Sequence, residues 1–186
     1  MSLIILLVVV VVVGLILVGI YNRLVGLRQR ANQAFADVDV QLKQRQDLIP
    51  NLVETVKGYA AHESGTLEAV TAARTAAAGA TTVEGKVAAE NALSGALGRL
   101  FAVAEAYPDL KANTNFLQLQ TELSDIENKL AAARRFFNNA ISEYNAAIQQ
   151  FPAVLMAGAF GFQAREFFDV GSEQRAAMGT APSVKF

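Results

Sequence analysis

The run LIILLVVVVVVGLILVGI, Leu3 to Ile20, constrains this chain more than any other stretch, because no charged side chain occurs before Arg23. At ~1.5 Å per residue it reaches roughly 27 Å as a helix, close to the hydrocarbon thickness of a bilayer, so it spans with little tilt. A cleaved signal peptide is the competing reading. Against it, no basic n-region precedes the run, the run is longer than an ordinary h-region, and Tyr21, Asn22 and Arg23 offer no small-residue cleavage pattern. We therefore expect residues 1–22 to be a retained transmembrane anchor, with Tyr21 at headgroup level, and residues 23–186 to be a helical domain.

The flanks of the run set its expected orientation. Arg23, Arg28 and Arg30 follow it before the first acid, Asp37, and nothing but the amino terminus precedes it. Basic flanks stay on the cytoplasmic side, which places the helical domain inside and the N-terminus out. Three arginines are a modest bias, and the opposite orientation stays open. They also attract anionic lipid, at about 1 kcal/mol each near a charged surface. A formal charge of −1 with signs intermixed gives no basic face for nucleic acid. With no cysteine there is no disulfide, thiolate nucleophile or thiolate metal site.

After the anchor, Ala, Leu, Gln, Glu, Lys and Arg dominate, apolar residues recur at three and four, and no useful run alternates with period two. The fold class expected is all-α. Leu24, Leu27, Ala31, Phe35, Val38 and Leu42 share one face of a first helix that continues directly from the anchor. Asp39, Lys43 and Asp47, spaced by four, read as its solvated side. The Gly-Thr patch AAAGATTVEG, Ala76 to Gly85, breaks the next helix, and Thr81 or Thr82 caps the one after, with Glu84 in its first turn. That helix, about Val83 to Ala106, ends before Pro108, since a residue preceding proline is pushed out of helical geometry. Asn113 or Thr114 caps the last one.

The last helix carries the clearest stripe: Phe116, Leu119, Leu123, Ile126, Leu130, Ala133, Phe137, Ala140, Tyr144, Ala147 and Phe151, all by steps of three and four. This is the spacing of coiled-coil-like packing along a rod of roughly 54 Å, and it predicts core rather than a cofactor box. Beyond Pro152, AVLMAGAFGF is too short to span a bilayer. We expect Phe160, Phe162, Phe167 and Phe168 to close the open end of a bundle, with contact to the lipid interface as the alternative.

The stretch QRQDLIPNLVETVKGYAAHE, Gln44 to Glu63, places a proline inside a helical pattern. Val38, Leu42, Arg45, Ile49, Leu52, Val56 and Tyr59 keep the three-four step through Pro50, interrupted only by an arginine whose stem can pack. That continuity favours a kinked, continuous helix over a hairpin, although proline clashes with the carbonyl of Gln46 and costs about 3 kcal/mol unless the bend is accommodated.

His62 and Glu63 form half of a helical zinc motif, but the site needs two histidines four apart and this chain has one. Di-iron carboxylate bundles need Glu-x-x-His pairs, which Glu54, Glu63, Glu68, Glu90, Glu105, Glu122, Glu127 and Glu143 lack; these read as surface charges. No Gly-rich phosphate loop and no G-x-S-x-G turn is present. We assign no catalytic, cofactor-binding or metal residue and expect no cofactor.

YNRLVGLRQRANQAFADVDVQLKQRQDLIPNLVETVKGYAAHE, then LEAVTAAR, then Tyr107-Pro108 before NTNFLQLQTELSDIENKLAAARRFFNNAISEYN, resembles the LemA family of bacterial membrane proteins from Tyr21 to the terminal PSVKF. DLIPNLV and the run Glu127 to Asn145 are its most specific segments. The resemblance implies an antiparallel four-helix bundle of up-and-down type on a single N-terminal anchor, with no established enzymatic activity and no catalytic residues to transfer.

The function expected is a membrane-tethered, non-enzymatic scaffold whose partners are the lipid bilayer, copies of itself and other membrane proteins. Ala72, Ala73, Ala76, Ala77 and Ala131 to Ala133 permit close helix approach, while also being good helix formers. A ligand- or cofactor-binding bundle is the second reading and would need Arg134, Arg135, Asn138, Asn139, Glu143 and Asn145 to converge. A membrane-shaping element is the third.

Overall fold

The computed structural model describes residues 1–168. It is all-helical there, with no strand among the described residues, and it begins with the long apolar helix. The closing PSVKF of the family resemblance lies outside the described residues.

Helix α1 runs without a break from Ser2 to Lys57, through Pro50. Its apolar start is bare. Every residue from Leu3 to Val18 is exposed, and the most apolar 18-residue window has 0% of its residues buried. One such helix is a candidate membrane span by length and composition. The next elements are α2 (Ser64–Gly79), α3 (Val83–Glu105), α4 (Pro108–Lys111), α5 (Thr114–Gln149) and α6 (Val154–Ala157).

Two compact units divide the chain inside α1 and α5. The first comprises Met1–Val38 and Ala132–Phe167. Its core joins Leu24 and Leu27 of α1 to Tyr144, Ala147 and Ile148 of α5, and to Ala153, Ala157 and Phe162 of the segment after α5. The Arg28 guanidinium sits 5.0 Å from the Phe162 ring centre, a cation–π contact that covers one side of this core. Asn145 clasps the returning chain. Its Nδ2 donates to the Arg165 carbonyl at 2.8 Å and its Oδ1 accepts from the Arg165 N–H at 2.9 Å, satisfying a backbone pair that no regular element serves.

The second unit comprises Asp39–Ala131 with Phe168. Ile49, Leu52 and Val56 of α1, Leu67 and Val70 of α2, Leu93, Leu97 and Leu100 of α3, Leu110 of α4, and Phe116 and Leu123 of α5 form one continuous core. Each such side chain contributes roughly 1.5–3 kcal/mol by leaving water. The ends of the helices follow local chemistry. Thr82 caps α3 by accepting from the Gly85 N–H at 3.0 Å, and Asn113 caps α5 by accepting from the Phe116 N–H at 3.0 Å. Pro108 occupies the first turn of α4, where its missing N–H costs nothing.

The expected stripe of α5 holds over most of its length, with three departures. Leu119 and Ala133 are half-buried, and Phe151, past the end of the helix, is 80% exposed. Ile141 and Ile148 are buried instead, each one position after a predicted stripe alanine. A straight helix of 3.6 residues per turn drifts about 20° per heptad from a 3.5-residue stripe, which brings the next position inward along a long helix. The four phenylalanines also split: Phe162 and Phe168 are buried, while Phe160 and Phe167 remain exposed.

Candidate functional site

Arg45 occupies a position on the buried stripe of α1 and is only 4% exposed. Glu90 does the same on α3, where Glu90, Leu93, Leu97, Leu100 and Ala104 step by three and four, and it is 2% exposed. The two meet. Arg45 Nη1 donates to Glu90 Oε2 at 2.8 Å, and Nη2 reaches Ser94 Oγ at 2.9 Å and Glu127 Oε2 at 3.0 Å. Gln46 Nε2 lies 3.4 Å from the second Glu90 oxygen, so both carboxylate oxygens are engaged. Burying ions costs several kcal/mol each, and this pairing offsets that cost at both Glu90 oxygens and both terminal Arg45 nitrogens, while Arg45 Nε stays buried without a hydrogen-bond partner. Glu90 and the half-exposed Glu127 are therefore not simple surface charges, a correction to the expectation for both.

A second polar contact explains how α1 tolerates its proline. Pro50 has no N–H to give to the carbonyl of Gln46, four residues earlier. Arg74 of α2 supplies the missing donor, its Nε lying 2.9 Å from that oxygen. The helix is continuous because a neighbour satisfies the orphaned acceptor. Nearby, Lys86 of α3 pairs with Asp39, while Lys43 pairs with Asp47 at 2.6 Å. Asp39 thus binds α3 rather than lying on a purely solvated face, because its partner is brought by tertiary packing.

Several grooves open on this unit, and two of them concern function. One, of about 380 Å³, has Arg45, Ser94, Gln120, Ser124 and Glu127 as its polar lining and Leu97, Phe101 and Leu123 as its apolar walls. One positive and two negative groups, counting Glu90 beneath, leave it with a negative excess. Ser94 Oγ accepts from the Arg45 guanidinium in this groove. The other groove, of about 540 Å³, lies on the end of α1 and on α2, and is lined by Val53, Ala61, Leu67, Thr71 and Ala72 among others.

The remaining sequence candidates are scattered. His62 is exposed, and Glu63 accepts a long contact of 3.4 Å from the Tyr107 hydroxyl. Among the described residues no group of three or more His, Cys, Asp or Glu is placed to hold a metal ion. In the first unit Glu143 is exposed and pairs with Arg30 at 2.8 Å, Asn145 is used in its backbone clasp, and Arg135 and Asn139 are exposed. Arg134, Asn138 and Asn145 of that α5 segment are half-buried, while Arg135, Asn139 and Glu143 are exposed. Of the alanines, Ala72, Ala76, Ala131 and Ala132 are exposed, Ala73 and Ala133 half-buried, and Ala77 lies in the core.

Comparison with known proteins follows the same lines. The model of the LemA family matches residues 34–186. The magnetosome protein MamQ of Magnetospirillum gryphiswaldense is 27% identical over 174 residues, covering 80% of this chain and 64% of MamQ. Magnetosome protein MamQ 1 of Paramagnetospirillum magneticum matches with the same 27% identity and the same coverage. Protein LemA of Metamycoplasma hominis is 27% identical over 135 residues, covering 72% of this chain and 62% of its own length. The chain spans less than two thirds of the length of these relatives.

Proposed function

This chain belongs to the LemA family, and from that premise we propose that it is a membrane-anchored, non-enzymatic scaffold. In this reading a helical bundle of the four-helix, up-and-down type is held at a bilayer by the start of α1. It assembles with copies of itself, or with other membrane proteins, through a helix face. The single observation that carries the reading is the α1–α2 groove, where Ala61, Ser64, Thr71, Ala72 and Thr75 keep side chains small beside Val53 and Leu67, with Lys57 and Glu68 as its charged lining. Small residues let a partner helix approach closely, and an apolar floor rewards it. Such a scaffold would serve envelope organisation or stress.

The chain has no native cysteine, so Ala72→Cys provides a single thiol. Oxidation in native membranes is expected to give a disulfide-linked dimer, and the absence of any cross-linked species at both Ala72→Cys and Thr75→Cys would contradict assembly through this groove. The arginines after the span support a cytoplasmic domain with the N-terminus out. On that orientation the same thiol is protected from a membrane-impermeant reagent in intact cells.

A second reading, a bundle that binds a small cationic ligand, is favoured by the groove over Arg45 and its negative excess. Thermal-shift screening with primary amines tests it. A stabilisation that disappears in Gln120→Leu would support the reading, and no stabilisation by any amine would end it.

A further inference from the structure

The segment after α5 leaves large apolar side chains bare beside the bare apolar start of α1. Phe151 is 80% exposed, Leu155 75% and Phe160 55%. No charged side chain occurs from Tyr144 to Ala164. Exposed apolar clusters of this kind mark a surface that meets something other than water.

What it meets follows from its position on α1. A groove of about 310 Å³ is lined by Leu17, Val18 and Tyr21 of α1 on one side and by Met156 and Phe160 on the other. Leu17 and Val18 belong to the uninterrupted apolar run, and Tyr21 closes it. The Phe160 ring centre lies 5.3 Å from that of Tyr21, and the Phe162 ring centre 5.6 Å from it, both edge-on. Phe160 therefore shares the depth of Tyr21 along α1 to within about one helical turn. Aromatic rings at that level are characteristic of the boundary between hydrocarbon and headgroups. Arg23 is exposed two residues further on.

We propose that residues 151–160 are a second membrane contact, seated in the interfacial layer of the bilayer that α1 enters, with lipid acyl chain occupying the groove between Leu17, Tyr21, Met156 and Phe160. The contact rests on the reading of α1 as a membrane anchor. It holds the first unit against the lipid surface at two places instead of one. The occupant is lipid rather than a protein helix because the groove is continuous with the lipid-facing surface of α1 and presents no hydrogen-bonding side chain apart from the Tyr21 hydroxyl.

The chain contains no tryptophan, so single-tryptophan variants of the full-length protein report depth without background. Leu155→Trp, Val10→Trp and Val40→Trp are reconstituted into phosphatidylcholine–phosphatidylglycerol vesicles carrying bromines near the headgroup or deep in the chains. All three positions are exposed, so the substitutions leave the cores intact. The proposal expects Leu155→Trp to shift to the blue and lose fluorescence to shallow bromines, Val10→Trp to lose it to deep bromines, and Val40→Trp to keep a water-like spectrum. Quenching at Val10→Trp with a water-like Leu155→Trp would overturn the second contact and leave the anchor standing. No quenching at Val10→Trp would overturn the anchor as well, and equal quenching at Val40→Trp would show that Leu155 has no special place in lipid.

Discussion

Arg45 and Glu90 carry opposite charges in a core that is otherwise almost entirely apolar, so their energetics depend on each other. Glu90→Ala leaves a buried guanidinium facing only Ser94 and the half-exposed Glu127, and is expected to destabilise the protein by about 3–5 kcal/mol. Replacing both at once, Arg45→Met with Glu90→Met, removes the stranded charge and is expected to recover most of that loss. Denaturant unfolding of the single and double variants measures the coupling, and additive losses would contradict it. Arg74 offers a second test of a polar contact. Arg74→Met orphans the Gln46 carbonyl only because Pro50 gives it no amide, so the cost is about 1–3 kcal/mol in the native background. It falls toward zero with Pro50→Ala, where the helix supplies its own donor.

At the level of elements, the caps behave as the chain's local chemistry dictates, and Thr82→Ala is expected to cost about 1 kcal/mol, read as a lower melting temperature with unchanged helix content. Those features were legible because they depend on neighbours a few residues away: the apolar run before Arg23, the breaks at Gly79 and Pro108, the caps Thr82 and Asn113, and the unbroken stripe through Pro50. What was hidden depends on which helices meet. Arg45 and Glu90 both interrupt apolar stripes, and that pair of interruptions was the available signal. Their pairing, however, joins residues forty-five apart and no local period encodes it. The same holds for Arg74 serving Gln46 and for Lys86 serving Asp39. Phe151 is placed on the core stripe of α5 by its spacing and is exposed for a different reason. A stripe pattern extends past a helix end only if the helix does, and α5 stops at Gln149. Hydrophobicity alone does not distinguish a side chain facing other helices from one facing lipid.

For the molecule as a whole, a candidate membrane span, an exposed apolar cluster after α5 and a groove on α1 and α2 belong to one proposal, in which a tethered helical domain recruits partner helices. Assembly is the claim on which that account depends. The most direct measurement is the molar mass of the full-length protein in lipid nanodiscs or mild detergent, followed by light scattering over a range of concentrations, for the native chain and for Ala72→Arg. Ala72 is exposed, so the substitution places a long charged side chain in the α1–α2 groove without disturbing the core. The account predicts a mass of two or more chains for the native protein and of one chain for the variant. A native protein that scatters as a single chain at every concentration would contradict it.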